Sequence, residues 1–494
     1  MNNPTLAAPV AAAPEILDIQ QTACCIVGGG PAGLVAAFEA ASHKLSVALI
    51  DERVTLGGQI YKQLGIGFSV KDDSALSPEQ KRGAELIRSV ENPLISKFLS
   101  TTVLSIEEST LMVVQNGSSA RKIKFKRLLI APGAYDRPVA FPGWTLPGVI
   151  TAGGAQTLVK TQRVSPGVRI LFAGSGPLAL AFPAQIKSYG ANVVLALESG
   201  RGPRISDLPS LLGAIPGNIH LLKDAFNYRW GLLKMRVPMR YRRMIIRVGG
   251  VDKVEYAIHA KVDRNWRPIA GTEEKIEVDA VCVGYGFFPS TELFRLAGCS
   301  FTYNENLGGF TVDVDNWGRT SIENVFAAGD GAGIEGVYVA TFRAKIAAIK
   351  VAEELGKITP FQAETLALES RKGIKAKRRF QKFLFRMYSI GEGIYDLCDA
   401  KTTICRCEGI TKEKIDHAID TSSDFSVVKA LTRAGMGLCQ GRNCQRQISA
   451  LISKRHEMKI SEVPMATPRF PVKPVSLGSI ADETVKEEKY FIDA

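Results

Sequence analysis

Short apolar runs bounded by glycine clusters recur along the chain at intervals that suit alternating strands and helices. Ala23–Val27 is such a run, followed by a Gly-rich turn, an Ala-rich helical stretch and a second run, Leu45–Ile50. The same order returns between Val168 and Glu198. Leu128–Ile130 leads into Ala131-Pro132-Gly133, and Val325–Ala328 leads into Gly329-Asp330 and a long Ala-rich helix near Val337–Ala344. Met244–Val248, Val254–Ala260 and Val278–Val283 read as further strands. Continuous runs of this length, unlike alternating ones, predict strands buried on both faces of a mostly parallel sheet, so the class is α/β. The two strand–turn–helix–strand units make a weak internal duplication rather than a short-period repeat.

Composition bounds this reading without changing it. A chain of 494 residues exceeds one hydrophobic core, so about two to four domains are expected. The opening Met1–Pro14 is Ala/Pro-rich, without a basic n-region or a long apolar core, and reads as a disordered tail. The longest uncharged stretch, Ile170–Ile186, contains Gly174, Gly176, Pro177 and Pro183 and predicts strand–turn–helix rather than a membrane span. The nine cysteines are odd in number and come without a secretion signal, which argues against a disulfide framework and for a cytoplasmic location.

The net charge of +13 is concentrated in Arg371–Arg386, where Phe380, Phe383, Leu384 and Met387 recur at helical spacing. A solvated helix packed on its own protein is the plain expectation. A docking face for a partner subunit or for an anionic membrane surface is the other. Nucleic acid is excluded as a partner, because no groove-reading motif accompanies the charge.

Gly28-Gly29-Gly30-Pro31-Ala32-Gly33 fits G-x-G-x-x-G after a strand and at the start of a helix. Gly28 permits the tight turn, Gly30 close approach of a pyrophosphate, and Gly33 helix–strand packing, while Asp51 ends the second strand where a ribose hydroxyl would lie. The helix starting near Pro31 aims its free N–H groups at the phosphates. Asp51-Glu52-Arg53 and Leu56-Gly57-Gly58-Gln59-Ile60-Tyr61 resemble the loop beside the flavin pyrophosphate in flavoprotein disulfide-reductase-like enzymes. Ala131-Pro132-Gly133-Ala134 resembles their Ala-Thr-Gly turn, and Val325–Asp330 the strand whose terminal Asp, here Asp330 after Gly329, binds the ribityl chain. These resemblances imply FAD rather than NAD in the first unit. The helix after Asp330 would aim its dipole at the flavin N1–C2=O locus.

The second unit reads Gly174-Ser175-Gly176-Pro177-Leu178-Ala179, with Glu198 ending its second strand. Glu198 suits a free 2′-hydroxyl, so the nicotinamide admitted is NAD. The alternative is a relic that fills the position without turning NAD over.

Cys405-Arg406-Cys407 and, 31 residues on, Cys439-Gln440-Gly441-Arg442-Asn443-Cys444 supply four thiols, enough for zinc or for a [2Fe–2S] cluster. The order resembles the bacterioferritin-associated-ferredoxin type of [2Fe–2S] domain, whose second pair has two intervening residues where this chain has four. Leu431–Arg442 accounts for that departure. It is similar to the α subunits of heteromeric amine and imino-acid dehydrogenases: opine oxidases, D-hydroxyproline and proline dehydrogenases, sarcosine oxidase and the related cyanide synthase. The resemblance runs from Thr22 to about residue 480.

It implies a disordered tail (1–21), an FAD-binding part (22–145), an NAD-like domain (146–285), the rest of the FAD domain (286–358), a basic helical linker (359–400), a mostly helical [2Fe–2S] domain (401–456) and a C-terminal tail (457–494). It also implies a smaller flavin-containing catalytic partner, allows a small [2Fe–2S] subunit, and places the amino- or imino-acid substrate on the partner. The chain itself would serve electron transfer and assembly, with no turnover of NAD expected whether or not its NAD-like domain binds the nucleotide. Cys24 and Cys25 read as buried strand thiols, no C-x-x-C lies beside a flavin motif, and the five histidines show no ligand spacing. Two rival readings stay open: a self-sufficient NADH-dependent reductase, and an assembly subunit whose cofactors are structural.

Overall fold

The computed structural model describes residues 20–70, 72, 76–115 and 118–480. Residues 1–19, the expected disordered tail, lie outside the described residues, and the first strand already begins at Gln20, inside the span read as tail.

That strand, Gln20–Val27, is central to a seven-stranded sheet. Val47–Ile50 and Ile95–Phe98 lie parallel to it on one side, and Ala120–Ile130 lies parallel on the other. Ala120–Ile130 pairs early in its length with the antiparallel Thr110–Gln115, and late in its length with the parallel Val325–Ala327. The register aligns Val27 with Ile50 and Ile130, and Ile130 with Ala327. Four strands therefore end together, and the residues that follow them emerge along one edge. Helices Pro31–Ser42 and Val337–Glu354 pack together on one face. The contact is built from Ala36, Ala37, Ala40, Ala344, Ala347 and Ala348, all buried, whose small side chains let the two helices approach closely.

A second sheet of five parallel strands, Met239–Tyr241, Val193–Glu198, Ile170–Gly174, Ala280–Gly284 and Val149–Thr151, carries the second nucleotide-type unit. The stretch Ile170–Ile186 is a strand, a turn and a helix, as its Gly and Pro content predicts. The strands expected at Leu45, Val254 and Val278 start two residues later, at Val47, Tyr256 and Ala280.

The basic linker is one 28-residue helix, Pro360–Met387. Thr359 starts it: its hydroxyl accepts from the Gln362 N–H and the Gln362 amide accepts from the Thr359 N–H, with Pro360 at the first position, where a missing N–H costs nothing. The helix packs on its own protein. Glu335, almost fully buried, pairs with Arg378 (2.7 Å) and with Arg343 (2.6 Å), and Gly373 lies flat on the Phe342 ring. Within the expected apolar stripe, Met387 is buried and Phe380, Phe383 and Leu384 are half-buried.

After a small unit of helices Lys412–Thr421, Phe425–Thr432 and Gln445–Arg455, the chain turns back. The span read as a C-terminal tail returns to the first domain: the Val472 N–H bonds the Leu104 carbonyl (3.1 Å), Arg295 bonds the Ala466 carbonyl, and Lys473 pairs with Glu52.

Removing the Glu335 charge leaves the mostly buried Arg343 without its partner and frees the exposed Arg378, a loss on the order of 3 kcal/mol. Removing the exposed Glu364 from its pair with Arg371 costs about 0.5 kcal/mol or less. Hydrogen exchange of the linker-helix amides should therefore speed up strongly in Glu335→Ala and hardly at all in Glu364→Ala.

Candidate functional site

The four parallel strand ends bring the flavin-type segments into one cradle. A Cβ on Gly28, at φ +110°, would lie 2.1 Å from the Ala131 carbonyl oxygen, and one on Gly33 would lie 1.7 Å from the Gly28 carbonyl. Those two glycines are demanded by the chain's own packing. Gly30 is different. Its φ is −77°, and a Cβ there would meet only the Gly58 Cα at 3.8 Å. Nothing within the protein requires glycine at that point, which fits a position kept clear for a bound phosphate. The Gly57–Gly58 turn is held over it by the Gly57 N–H to the Gly29 carbonyl (2.9 Å).

Asp51 accepts from the Gly29 N–H (2.5 Å) and the Arg53 N–H (2.7 Å), and keeps an open edge at 9 % exposure. Ala32 touches Gly329, and Pro132 touches Gly331, so the turns holding Ala131–Gly133 and Gly329–Asp330 stand against the first glycine turn. Asp330 accepts from the Glu335 N–H at 3.4 Å, and burial pushes its carboxyl up to about 6. Gly28, Gly30, Pro31, Ala32, Gly33, Asp51, Gly58, Ala131, Gly133, Gly329 and Asp330 are thus brought together. Glu52 is not: it is exposed and turned to Lys473. Gln59 is exposed too, its carbonyl accepting from Lys62 at 3.1 Å.

Lys62 escaped the sequence reading. It is buried, and burial, with Arg53 and Lys160 nearby, pulls its ammonium down to about 7. Asp136, whose carboxyl burial pushes up, is its electrostatic neighbour across this loop.

The second cradle assembles Gly174, Gly176, Ala179 and Glu198, but Glu198 is sealed. Its oxygens accept from the Gly176 N–H (3.0 Å) and the Gly200 N–H (2.6 Å), it has 0 % exposure, and burial pushes its pKa up to about 7. A Cβ on Gly200 would meet both the Glu198 carboxylate and the Tyr388 ring, so the residue just past the linker helix packs beside this turn.

The four clustered cysteines meet two by two. The thiols of Cys405 and Cys444 share a hydrogen bond, as do those of Cys407 and Cys439. The Cys444 thiol and the backbone N–H groups of Cys407, Glu408 and Gly435 hold Cys405 down to about 6, toward the thiolate that ligates metal. Among the described residues no three His, Cys, Asp or Glu side chains converge as on a single ion. Beyond the hydrogen bond to Cys405 and burial, Cys439 and Cys407 also raise the Cys444 thiol, so all four thiols share one neighbourhood, as the ligands of a cluster must.

A side-chain bridge joins these two regions. Arg442, inside the Cys439–Cys444 loop, donates to the Cys439 carbonyl (3.1 Å) and to the Tyr135 hydroxyl (2.9 Å), and pairs with Glu292 (3.3 Å). Tyr135 stands two residues past Gly133. Next to this bridge, Arg137 and Arg446 both donate to the Tyr395 hydroxyl, at 2.5 and 3.0 Å.

Residues 22–354 match the family described as pyridine nucleotide-disulphide oxidoreductase, and residues 403–454 match the BFD-like [2Fe–2S] binding domain. An opine oxidase subunit of Rhizobium meliloti is 31% identical over 92% of this chain and 86% of its own length. The hydrogen cyanide synthase subunit HcnB of Pseudomonas aeruginosa is 31% identical over 92% of this chain and 97% of its own. The crystal structure of L-proline dehydrogenase from P. horikoshii shares the fold, with a TM-score of 0.68 at 22% identity over 94% of this chain and 80% of that one. The chain therefore belongs to the pyridine nucleotide-disulphide oxidoreductase family, as an oxidoreductase with FAD and a BFD-like [2Fe–2S] domain related to subunits of opine oxidase and hydrogen cyanide synthase.

Proposed function

We propose that this chain is the electron-transfer and assembly subunit of a heteromeric dehydrogenase that oxidises a C–N bond of an amino or imino acid, with the substrate bound on a smaller flavin-containing partner. The observation that carries the reading is the Tyr135–Arg442 bridge, which gives the strand leaving the flavin-type turn and the loop between two candidate cluster ligands a common wall. When bound, FAD supplies a two-electron carrier and the cluster a one-electron carrier. Gly28, Gly30, Gly33, Asp51, Gly58, Ala131, Gly133, Gly329 and Asp330 hold the dinucleotide, and Cys405, Cys407, Cys439 and Cys444 hold the cluster. The relatives support the assembly, since two are named as subunits.

The setting of Glu198 favours this reading over a self-sufficient NADH reductase. A carboxylate that must accept hydrogen bonds from a ribose needs a free face, and Glu198 is fully buried with both oxygens accepting from backbone N–H groups. Gly174, Gly176 and Ala179 then keep the nucleotide-type turn as architecture, and NAD is not turned over.

Three measurements check these assignments. Gly30→Val should lose FAD on purification while keeping the wild-type circular dichroism, because the added Cβ meets open space in the chain and only a ligand feels it. Asp330→Ala should retain FAD in part, losing one acceptor and leaving the phosphate cradle intact. Equal and full flavin occupancy in both variants removes the site from this place.

Mixing with NADH in a stopped-flow instrument should leave the oxidised flavin band unbleached over many seconds, whereas rapid bleaching would establish the reductase reading instead.

Cys439→Ser should lose the [2Fe–2S] visible and electron-paramagnetic signals and keep FAD, because serine is a far harder and less acidic ligand. The assembled complex should still reduce its partner flavin once with substrate, while steady-state transfer to an external acceptor collapses. Assembly and turnover at the wild-type rate without iron would end the electron-transfer role.

A further inference from the structure

Two successive helices of the second nucleotide-type unit, Leu208–Ala214 and Ile219–Lys234, turn apolar residues outward. The inner side of Ile219–Lys234 is accounted for: Leu232 is fully buried, and the Tyr228 hydroxyl accepts from Gln185 and bonds Glu79. Its outer side carries Ile219, Phe226, Trp230 and Leu233, exposed by 68, 66, 61 and 54 %. Their spacings of seven, four and three place all four on one stripe, and the rings of Phe226 and Trp230 stack at 6.3 Å. The preceding helix adds Leu208 and Leu212, one turn apart, at 50 and 56 %, and Ile205 stands just before it at 92 %. Isolated apolar residues on a surface need no explanation, but four large ones on one stripe, with three more just before them in the chain, mark a surface that meets something.

The charge around them identifies what. Residues 201–242 hold eight Lys and Arg against two Asp and no Glu, and residues 371–386 hold eight Lys and Arg with no acid. Arg240, Arg371 and Arg378 among them pair with Glu274, Glu364 and Glu335, and the remainder leave both segments strongly basic. They are also joined in space. The linker helix packs on Leu208–Ala214. Arg386 bonds Ser210 (2.5 Å), Lys377 bonds the Gly217 carbonyl (3.0 Å), and Asn218 bonds the Ala376 carbonyl (2.9 Å). Lysines also interleave with the apolar stripe: exposed Lys223 falls between Ile219 and Phe226, and exposed Lys234 follows Leu233. The central part of a protein–protein interface is depleted in lysine. A helix with Trp, Phe and Leu on one stripe and Lys and Arg flanking it is what an anionic lipid surface binds, the apolar side chains entering the acyl boundary while the lysines reach back to the phosphates.

We propose that the Leu208–Ala214 and Ile219–Lys234 helices, flanked by the basic linker helix, dock this protein peripherally on an anionic bilayer. No helix among the described residues is long and apolar enough to cross a membrane. The linker helix lies beside the start of this face, where Lys377 bonds the Gly217 carbonyl, and of its own stripe Met387 is buried.

Co-sedimentation of the purified full-length flavoprotein with vesicles tests this directly. It should sediment with phosphatidylcholine vesicles containing phosphatidylglycerol and stay in solution with phosphatidylcholine alone. The double variant Phe226→Ser, Trp230→Ser alters only exposed side chains, so FAD content and unfolding midpoint should be unchanged. Its partition onto the anionic vesicles should fall about tenfold or more. Failure of the wild-type protein to sediment overturns the proposal, as does a double variant that binds as well as wild type, since charge alone would then suffice. If neither protein binds vesicles and the double variant instead loses a co-purifying partner chain, the face is a protein interface and the membrane proposal is wrong.

Discussion

The contact on which most of this molecule depends is the one between Gly28 and the Ala131 carbonyl. Two parallel strands can end in register with their turns touching only if one turn has no side chain, and the 2.1 Å that a Cβ would have to occupy leaves no alternative. Gly33 against the Gly28 carbonyl does the same for the helix that follows. Once those backbones are locked, Asp51, Ala131 and Ala328 leave their strands along a common edge, and Gly30 is left beside open space. Glycines of one motif thus do two jobs: two close the protein on itself, and one keeps it clear of the ligand.

Much of this edge was legible in the sequence, because its signals are local. A strand, a glycine cluster, a helix start and an acidic residue about 20 positions on are neighbours in the chain before they are neighbours in space. The turn at Ala131–Gly133, the Gly329-Asp330 pair and the four cysteines were readable by resemblance for the same reason. What was not legible is whatever depends on distant residues meeting. Tyr135 and Arg442 are 307 positions apart, and neither has a spacing that announces the other. Glu198 reads as a ribose ligand from its place at a strand end, yet Tyr388, from beyond the linker helix, changes its surroundings. Glu52 reads as part of the cradle, and Lys473 from the returning C-terminal span draws it away. Lys62 looks like an ordinary surface lysine until the fold buries it.

Packing on its own protein, the plain expectation for the basic linker, is what the structure shows. The linker helix shows apolar residues at helical spacing amid dense positive charge, the signature of a surface-seeking helix, but Glu335 and the Phe342 ring bind it to its own protein. Ile219–Lys234 shows no readable face as a sequence, because apolar residues lie on both of its sides and periodicity cannot say which side is covered. Burial decides: Leu232 goes in and Trp230 stays out. Charge and apolar exposure, carried by different helices, end up side by side.

The return of the chain after residue 457 alters how the cysteine-bearing unit should be regarded. It enters from the linker helix, and it leaves through Ala466 and Val472 into contacts with Arg295 and Leu104 of the first domain. It is an insertion held at both ends rather than an appendage on a free terminus. A loop pinned twice loses less entropy on docking than one pinned once, so Arg442 meets Tyr135 at high effective concentration even when that contact is individually weak. Exchange of this unit between related proteins by recombination therefore needs two compatible junctions, and a crossover that supplies only the first would deliver the cysteines without the grip that seats them.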